Sequence, residues 1–335
     1  WNGSACAAAG VNAPVRGAVS WPFLHNVNTS LLAFLALGGL CVATLLALLA
    51  PLGWPFELFA HFRPQYAVTA ALLAVLLAWR RRAVVAGIAL VLAFWNGLPI
   101  VQRALAESPS FACTGPVFTV ATVNLQYSNP HHDRFLAWLA ENPADLIVVQ
   151  ELTSAWAQAL AGSDAHPHRF QLTREDPYGI GVLSRWPLES AGAIDLAGDG
   201  LPSVEGMVEI EGRRIRLLGL HTHWPVLPEV ARMRDAALGQ AASIARDADL
   251  PVILLGDLNL TPDSPEFARL LDESALRDVV SGRRWRPTWQ AGFWPLALRI
   301  DHILVSPQLC VEAVEVGPSI GSDHRPVIAR LRLPR

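Results

Sequence analysis

Pro251-Val-Ile-Leu-Leu-Gly-Asp-Leu-Asn-Leu-Thr-Pro262 reads as a buried strand running into a polar turn. Its apolar run, 251–255, is opened by Pro251 and closed by Gly256, the residues that punctuate strands. Asp257 and Asn259 follow one residue apart, and alternate residues of an extended backbone point the same way. A carboxylate and a neutral amide aimed at one spot can take a proton and hold an oxyanion. A polar turn after a core strand explains the same residues, since Gly, Asp and Asn all favour turns. The choice between these two readings depends on the rest of the chain.

The 335 residues suffice for a sizeable core and an additional region. At 52% apolar and 16% charged, the composition departs from the soluble average in the direction of a membrane portion. All 26 basic residues are Arg, so lysine Schiff-base chemistry and a Gly-Lys-Ser/Thr phosphate loop are both excluded. The four cysteines, Cys6, Cys41, Cys113 and Cys310, lack metal-ligand spacing. Cys41 lies in an apolar run and reads as packing, while Cys113 and Cys310 could pair if their domain lies outside the cytosol.

Residues 1–29 are expected to be a poorly ordered N-terminal segment. Residues 30–102 read as three transmembrane helices, over 30–50, 65–79 and 83–102, the first long enough alone for a bilayer core of roughly 20 residues. Arg80-Arg81-Arg82 joins the last two in a tight hairpin and should stay cytoplasmic. The expected placement is therefore a multi-pass protein of the cell membrane with an extracytoplasmic C-terminal domain. Residues 103–116 read as a linker, and 117–335 as that domain.

From Val117 onward short apolar runs alternate with polar turns and a few helices. Strands are expected at 117–124, 145–150, 179–183, 251–255, 299–305, 311–316 and 326–333. A hairpin over 204–220 turns at Glu211-Gly212, and helices are expected at 132–141 and 229–246. This pattern is that of an α+β layered fold. Polar residues mark the strand ends: Asn124, Glu151, His221 with His223, Asp257 with Asn259, Asp301 with His302, and Asp323 with His324. Turn propensity accounts for one such position far better than for six.

Asn124, Gln150-Glu151, His221, Gly256-Asp-Leu-Asn259, Asp301-His302 and Ser322-Asp-His324, in this order, resemble the endonuclease/exonuclease/phosphatase (DNase I-like) superfamily. Pro287-Thr-Trp289 resembles a further segment of it, and the apolar region in front resembles a bacterial membrane-anchored subgroup. The resemblance implies a four-layer α/β-sandwich and a divalent-metal phosphoester hydrolase, most often using Mg²⁺, with Mn²⁺ as an alternative. It makes Glu151 the principal metal ligand, assisted by Asn124 and Asp323, since Mg²⁺ favours one or two carboxylates and retains waters. Asp257 would orient or deprotonate the attacking water, and Asn259 would hold the nucleophile or a transition-state oxygen. His324, positioned by Asp301, would contact the scissile phosphate, and His221 would bind a phosphoryl oxygen or help protonate the leaving group.

His223 forms a His-x-His pair with His221 that could ligate a transition metal, though a rim or structural role explains it as well. His302 should pack away from the site, and Arg185 is a candidate phosphate contact. Setting aside Arg16, Arg63, Arg80–Arg82 and Glu57 leaves 21 Arg against 28 acidic residues, a balance that disfavours strong non-specific nucleic-acid binding. A loop with Arg283, Arg284, Arg286, Trp285, Trp289, Phe293 and Trp294 could stack bases, touch lipid headgroups or pack on its own domain. The expected partners are the membrane and a phosphate-ester substrate: phospholipid, nucleic acid or a small molecule. Two alternatives stand beside the hydrolase, an extracytoplasmic nuclease and a non-catalytic tethered binding protein. Retention of Glu151, Asp257, Asn259 and His324 argues against the second.

Overall fold

The computed structural model describes residues 29–105, 113–162, 164–280 and 286–334. The chain opens with α1 (Thr29–Leu48), a short helix α2 (Glu57–Ala60), α3 (Arg63–Trp79) and α4 (Ala83–Leu105). Small residues set their packing: Ala33, Ala74, Ala86 and Ala89 are buried with Leu37 and Leu77. Asn96 on α4 donates to Thr44 Oγ1 on α1 at 3.0 Å, satisfying a polar group that would be costly between apolar helices. The outward faces are apolar, with Leu35, Leu45, Leu72, Val75, Val91 and Phe94 all exposed.

Two described helices, not three, are long and apolar enough to cross a membrane: Leu31–Leu48 of α1, and α4. The expected span over 65–79 belongs to α3, whose 17 residues begin Arg63-Pro-Gln. At 1.5 Å per residue that helix measures about 26 Å, short of a hydrocarbon core of about 30 Å. Its first turn also serves another purpose, because Gln65 donates to the carbonyl of Ala297 at 2.7 Å.

The remainder forms two six-stranded mixed sheets. The first comprises β1 (Val117–Asn124), β2 (Leu146–Gln150), β3 (His168–Leu172), β4 (Ile180–Ser184), β11 (Cys310–Val316) and β12 (Val327–Arg332), in the order β11-β12-β1-β2-β4-β3. The second comprises β5 (Leu188–Asp195), β6 (Pro202–Ile210), β7 (Arg213–His221), β8 (Val252–Asp257), β9 (Arg277–Asp278) and β10 (Asp301–Val305), in the order β5-β6-β7-β8-β10-β9. Only β1–β2 and β7–β8 pair in parallel.

Period-two alternation gives each sheet two apolar faces. Phe118, Val120, Leu146 and Val148 of the first meet Leu217, Ile253, Leu255 and Ile303 of the second in the central core. The opposite face of the first sheet, with Ala121, Val123 and Ile147, is covered by α5 (His132–Glu141) and α6 (Ser154–Leu160) through Phe135, Trp138 and Trp156. That of the second, with Leu218, Val252 and Leu254, is covered by α7 (Pro228–Arg246) and α8 (Pro265–Ser274) through Leu238, Ala241 and Phe267. The result is helix, sheet, sheet, helix. Strands β3 and β5 carry no apolar alternation because both are half-exposed edge strands.

Cys113 and Cys310 are joined in a disulfide across 197 positions, fastening the segment before β1 to edge strand β11. The helical N-terminal part is fastened more deeply. Arg234 of α7, 0% exposed, donates to Glu57 Oε2 at 2.6 Å, and Ser264 donates to Glu57 Oε1. Burial alone would raise the Glu57 carboxyl, but the Arg234 guanidinium outweighs it and holds the group below its ordinary value.

A second buried pair supports β9 and β10: Arg299 donates to Asp278 at 2.5 Å. Burial would raise the Asp278 carboxyl, yet Arg299 lowers it below the ordinary range. A lowered native value stabilises the fold above the ordinary carboxylate range, about pH 4, and that contribution is lost as pH falls through the lowered value. Arg299→Met should therefore cost about 3–5 kcal/mol at neutral pH by leaving a buried charge unpaired. In thermal unfolding of the full chain, the gap between wild type and variant should narrow in strong acid.

Candidate active site

The site lies where the central core runs out at one end of both sheets. His221 ends β7, Asp257 ends β8 and Asp301 begins β10. The register sets His221 opposite Asp257 and Asp257 opposite Asp301, in one row across three adjacent strands. These residues share parity with Leu217, Leu255 and Ile303, so the alternation that builds the core also directs them between the sheets. Gly256 permits the row to close: a Cβ there would stand 1.8 Å from the carbonyl oxygen of Leu220.

The first sheet supplies the facing groups. Asn124, at the end of β1, donates through Nδ2 to Glu151 Oε1 at 2.9 Å and to Asp257 Oδ2 at 3.1 Å, tying one sheet to the other. Its Oδ1 accepts from the backbone N–H of Gln126. Glu151 sits at φ 58°, in the left-handed region that costs a non-glycine residue about 1–2 kcal/mol. Its Oε2 accepts from the N–H of Tyr127 at 2.8 Å. Such strain at a carboxylate points to a position selected for chemistry.

His324, in the turn before β12, donates from Nδ1 to Asp301 Oδ2 at 2.9 Å, and its Nε2 lies 3.6 Å from Asp257 Oδ2. Burial alone would lower this imidazole, but Asp301 and then Asp257 outweigh burial and push it up to about 10. Burial pushes Asp257 up to about 7 against the pull of His324, with Asp301 adding to the rise. His221 is pushed down to about 4 by burial and by the nearby His324 charge, so it is neutral near pH 7. A neutral ring suits binding a phosphoryl oxygen better than giving up a proton.

Asn259, at φ 48°, donates its backbone N–H to Asp257 Oδ1 at 3.0 Å and its side-chain amide to Thr222 O at 2.8 Å. One of its two amide hydrogens thus helps shape the turn around Asp257. Asp323 accepts from the Trp289 indole at 2.9 Å, which fixes its carboxylate at the cleft edge. All eight expected residues converge on this end of the sandwich. His302 packs away, donating to Leu260 O beside the Phe267 ring. His223 Nε2 lies 2.8 Å from Asp199 Oδ2, which gives it a structural partner. Arg185 lies at the far end of β4, exposed and paired with Asp145, and so is no phosphate contact in this arrangement. Arg283, Arg284 and Trp285 lie outside the described residues.

The cleft holds about 300 Å³, and its walls include Glu151, His221, Asp257, Asn259, Asp323 and His324. Tyr178, Thr222 and Trp224 also line it. Tyr178 follows from no strand-end rule, because it lies in the loop ahead of β4 and carries no charge. Among the described residues no arginine lines the cleft. Burial raises the Glu151 carboxyl, and the hydrogen bonds from Tyr127 and Asn124 and the His324 charge offset this only in part. Oxygen donors with uncompensated negative charge are the chemistry that a hard divalent cation satisfies, so the residues fit such an ion. Among the described residues, the tightest acid and histidine cluster is Asp257, Asp301 and His324. Its Asp301–His324 contact is a hydrogen bond, which leaves Glu151 the freer ligand.

The profile of the endonuclease/exonuclease/phosphatase family matches residues 121–324, more than half of the chain. Among solved structures the chain is similar to an endonuclease/exonuclease/phosphatase from Beutenbergia cavernae, with 22% identity and TM-score 0.53, covering 65% of this chain and 72% of that one. It is also similar to a 3'-5' exonuclease from Neisseria meningitidis (22% identity, TM-score 0.52, covering 65% and 100%). A third likeness is to D. rerio TDP2 complexed with a single-stranded DNA product (18% identity, TM-score 0.56, covering 64% and 99%). At these identities the likeness concerns the fold. None of the curated protein sequences matches the chain.

Asp301→Asn should remove the carboxylate charge that raises His324 while keeping an acceptor oxygen, so NMR titration of the full chain should move this imidazole sharply down, toward the ordinary value of about 6.5. An unchanged titration would show that Asp301 does not set the protonation of His324.

Proposed function

The chain belongs to the endonuclease/exonuclease/phosphatase family, and on that premise we propose that it is a membrane-anchored, divalent-metal-dependent phosphoester hydrolase. One observation carries this reading: the row His221, Asp257 and Asp301, with His324 held by Asp301, ends at a cleft lined also by Glu151, to which Asn124 is hydrogen-bonded. Glu151, with Asn124 and Asp323, would hold the ion, Mg²⁺ or alternatively Mn²⁺. When bound, such an ion offsets charge developing on the phosphoryl oxygens.

The chain's own groups handle the water and the phosphate. Asp257 orients the attacking water and takes its proton, with Asn259 fixing the carboxylate through its backbone N–H. The water oxygen forms the new bond to phosphorus and the ester P–O bond breaks. The departing oxygen leaves as an alcohol with a proton from solvent. His324 faces the phosphoryl oxygens as a cation held in place by Asp301, and neutral His221 adds a neighbouring polar contact. Positioning and charge complementarity, rather than a covalent intermediate, supply the rate.

Exposed apolar faces on α1 and α4 support the anchor, since a soluble core helix would bury them. Arg80–Arg82 stand at the N-terminal end of α4, so the positive-inside rule favours the other end of α4, and the two-sheet domain, across the membrane, with the shorter α3, docked at Gln65, running beside α4 between the two sides. The Cys113–Cys310 disulfide agrees with an oxidising compartment.

Hydrolysis of bis(4-nitrophenyl) phosphate by the detergent-solubilised full chain should require Mg²⁺ or Mn²⁺ and stop with chelator. Asp257→Asn should lower kcat by about 10²–10⁴-fold, the usual contribution of a general base. Full activity in Asp257→Asn or Glu151→Gln would refute these roles. Placement is tested separately on spheroplasts. A membrane-impermeant maleimide applied with an impermeant reductant should label Cys113 and Cys310, and labelling only after lysis would reverse the orientation.

A further inference from the structure

Two residues in the cleft wall, Leu58 and His61, lie outside the family match. They come from the turn between α1 and α3, and this turn is held rigidly. Glu57 is pinned by the buried Arg234 and by Ser264, and His61 Nδ1 is 3.0 Å from the Thr261 hydroxyl. Gln65 is fastened to Ala297, and Arg103 at the end of α4 pairs with Asp263 at 2.8 Å. Every catalytic-domain partner in these contacts belongs to α7, to the segment just after Asn259 or to the loop just before Asp301. The apolar helices are thus docked onto the elements that carry the reacting groups, at the end of the helices opposite Arg80–Arg82.

The cleft itself is chemically two-sided. Carboxylates and histidines form its floor, while Leu58, Trp224, Pro225, Leu298 and Ile300 form an apolar wall. Trp224 is 63% exposed, and Phe293 and Leu296 stand exposed in the loop fastened to Gln65. Nucleic acid calls for positive charge along its path, and among the described residues no arginine lines this cleft. An apolar wall continuous with membrane-length helices matches the chemistry of a lipid. His61 adds a polar element to that wall: it is buried, and its Nε2 has no protein partner.

We propose that the turn over 57–62 is the substrate-selecting wall of the active site, and that the substrate is a bilayer phospholipid. Its phosphoester enters the acidic floor while its apolar part rests against Leu58, Trp224 and Leu298. The inference rests on the hydrolase and membrane readings above and names the substrate class for that same site. The reaction is the same hydrolysis: water adds to phosphorus, the ester P–O bond breaks and the alcohol leaves with a proton.

The test uses the full chain in proteoliposomes of phosphatidylethanolamine and phosphatidylglycerol with Mg²⁺, following water-soluble phosphorus. The comparison substrates are the deacylated glycerophospho esters of the same headgroups, a single-stranded oligonucleotide and bis(4-nitrophenyl) phosphate. Lipid should exceed its deacylated ester in kcat/KM by roughly tenfold or more, the scale of a few buried methylenes. Leu58→Asp should lower the ratio of lipid to bis(4-nitrophenyl) phosphate turnover by a similar factor, with Leu58→Ser as the milder variant. Hydrolysis of the soluble diester without a lipid preference, oligonucleotide turnover at or above that of lipid, or a ratio untouched by both Leu58 variants would overturn this inference alone. Hydrolysis of no ester at all would overturn the hydrolase reading and this one with it.

Discussion

The site depends on burying carboxylates at the end of an apolar core with too few cations to neutralise them. Asp257 and Asp301 stand side by side in paired strands, and the His324 imidazole lies within reach of both. Withdrawing either carboxylate from water is costly, and a shared imidazolium offsets only part of that cost. Hydrogen bonds from Asn124 and from the Asn259 backbone to Asp257 offset more. The remaining imbalance keeps these groups poised to accept protons and positive charge, and it cannot be relaxed without moving strands that also form the core.

This dependence explains how much could be read in advance. A strand end is visible in a sequence because the apolar run stops there, and the parity of the run fixes the direction of its last side chain. Asn124, His221, Asp257 and Asp301 were legible on these grounds. Glu151 was legible as the residue just past β2, although its left-handed backbone was not. Tyr178 was not, since it lies in a loop whose path is set by tertiary contacts. Arg185 shows the converse: it neighbours a real strand, but at the end away from the site, and polarity alone does not say which end of β4 faces the cleft.

The helical part was less legible, because hydropathy counts residues and ignores what they touch. The run at 65–79 is apolar enough to resemble a span, yet its helix spends its first turn gripping the loop before β10. Leu58 and His61 could not have been assigned to a cleft from sequence either. Their place there depends on Glu57 meeting Arg234, a contact spanning 177 positions.

That contact also bears on how the chain comes to be assembled. Glu57 is made long before Arg234, since synthesis runs from the N-terminus. Helix α7 can bury its guanidinium at full strength only against a turn that is already seated; Asp235 alone compensates it in part. Completion of the two-sheet fold is thereby made conditional on correct seating of the helices. A chain whose helices went astray would carry a sequestered charge short of its partner, a defect of the size that marks a protein for proteolysis.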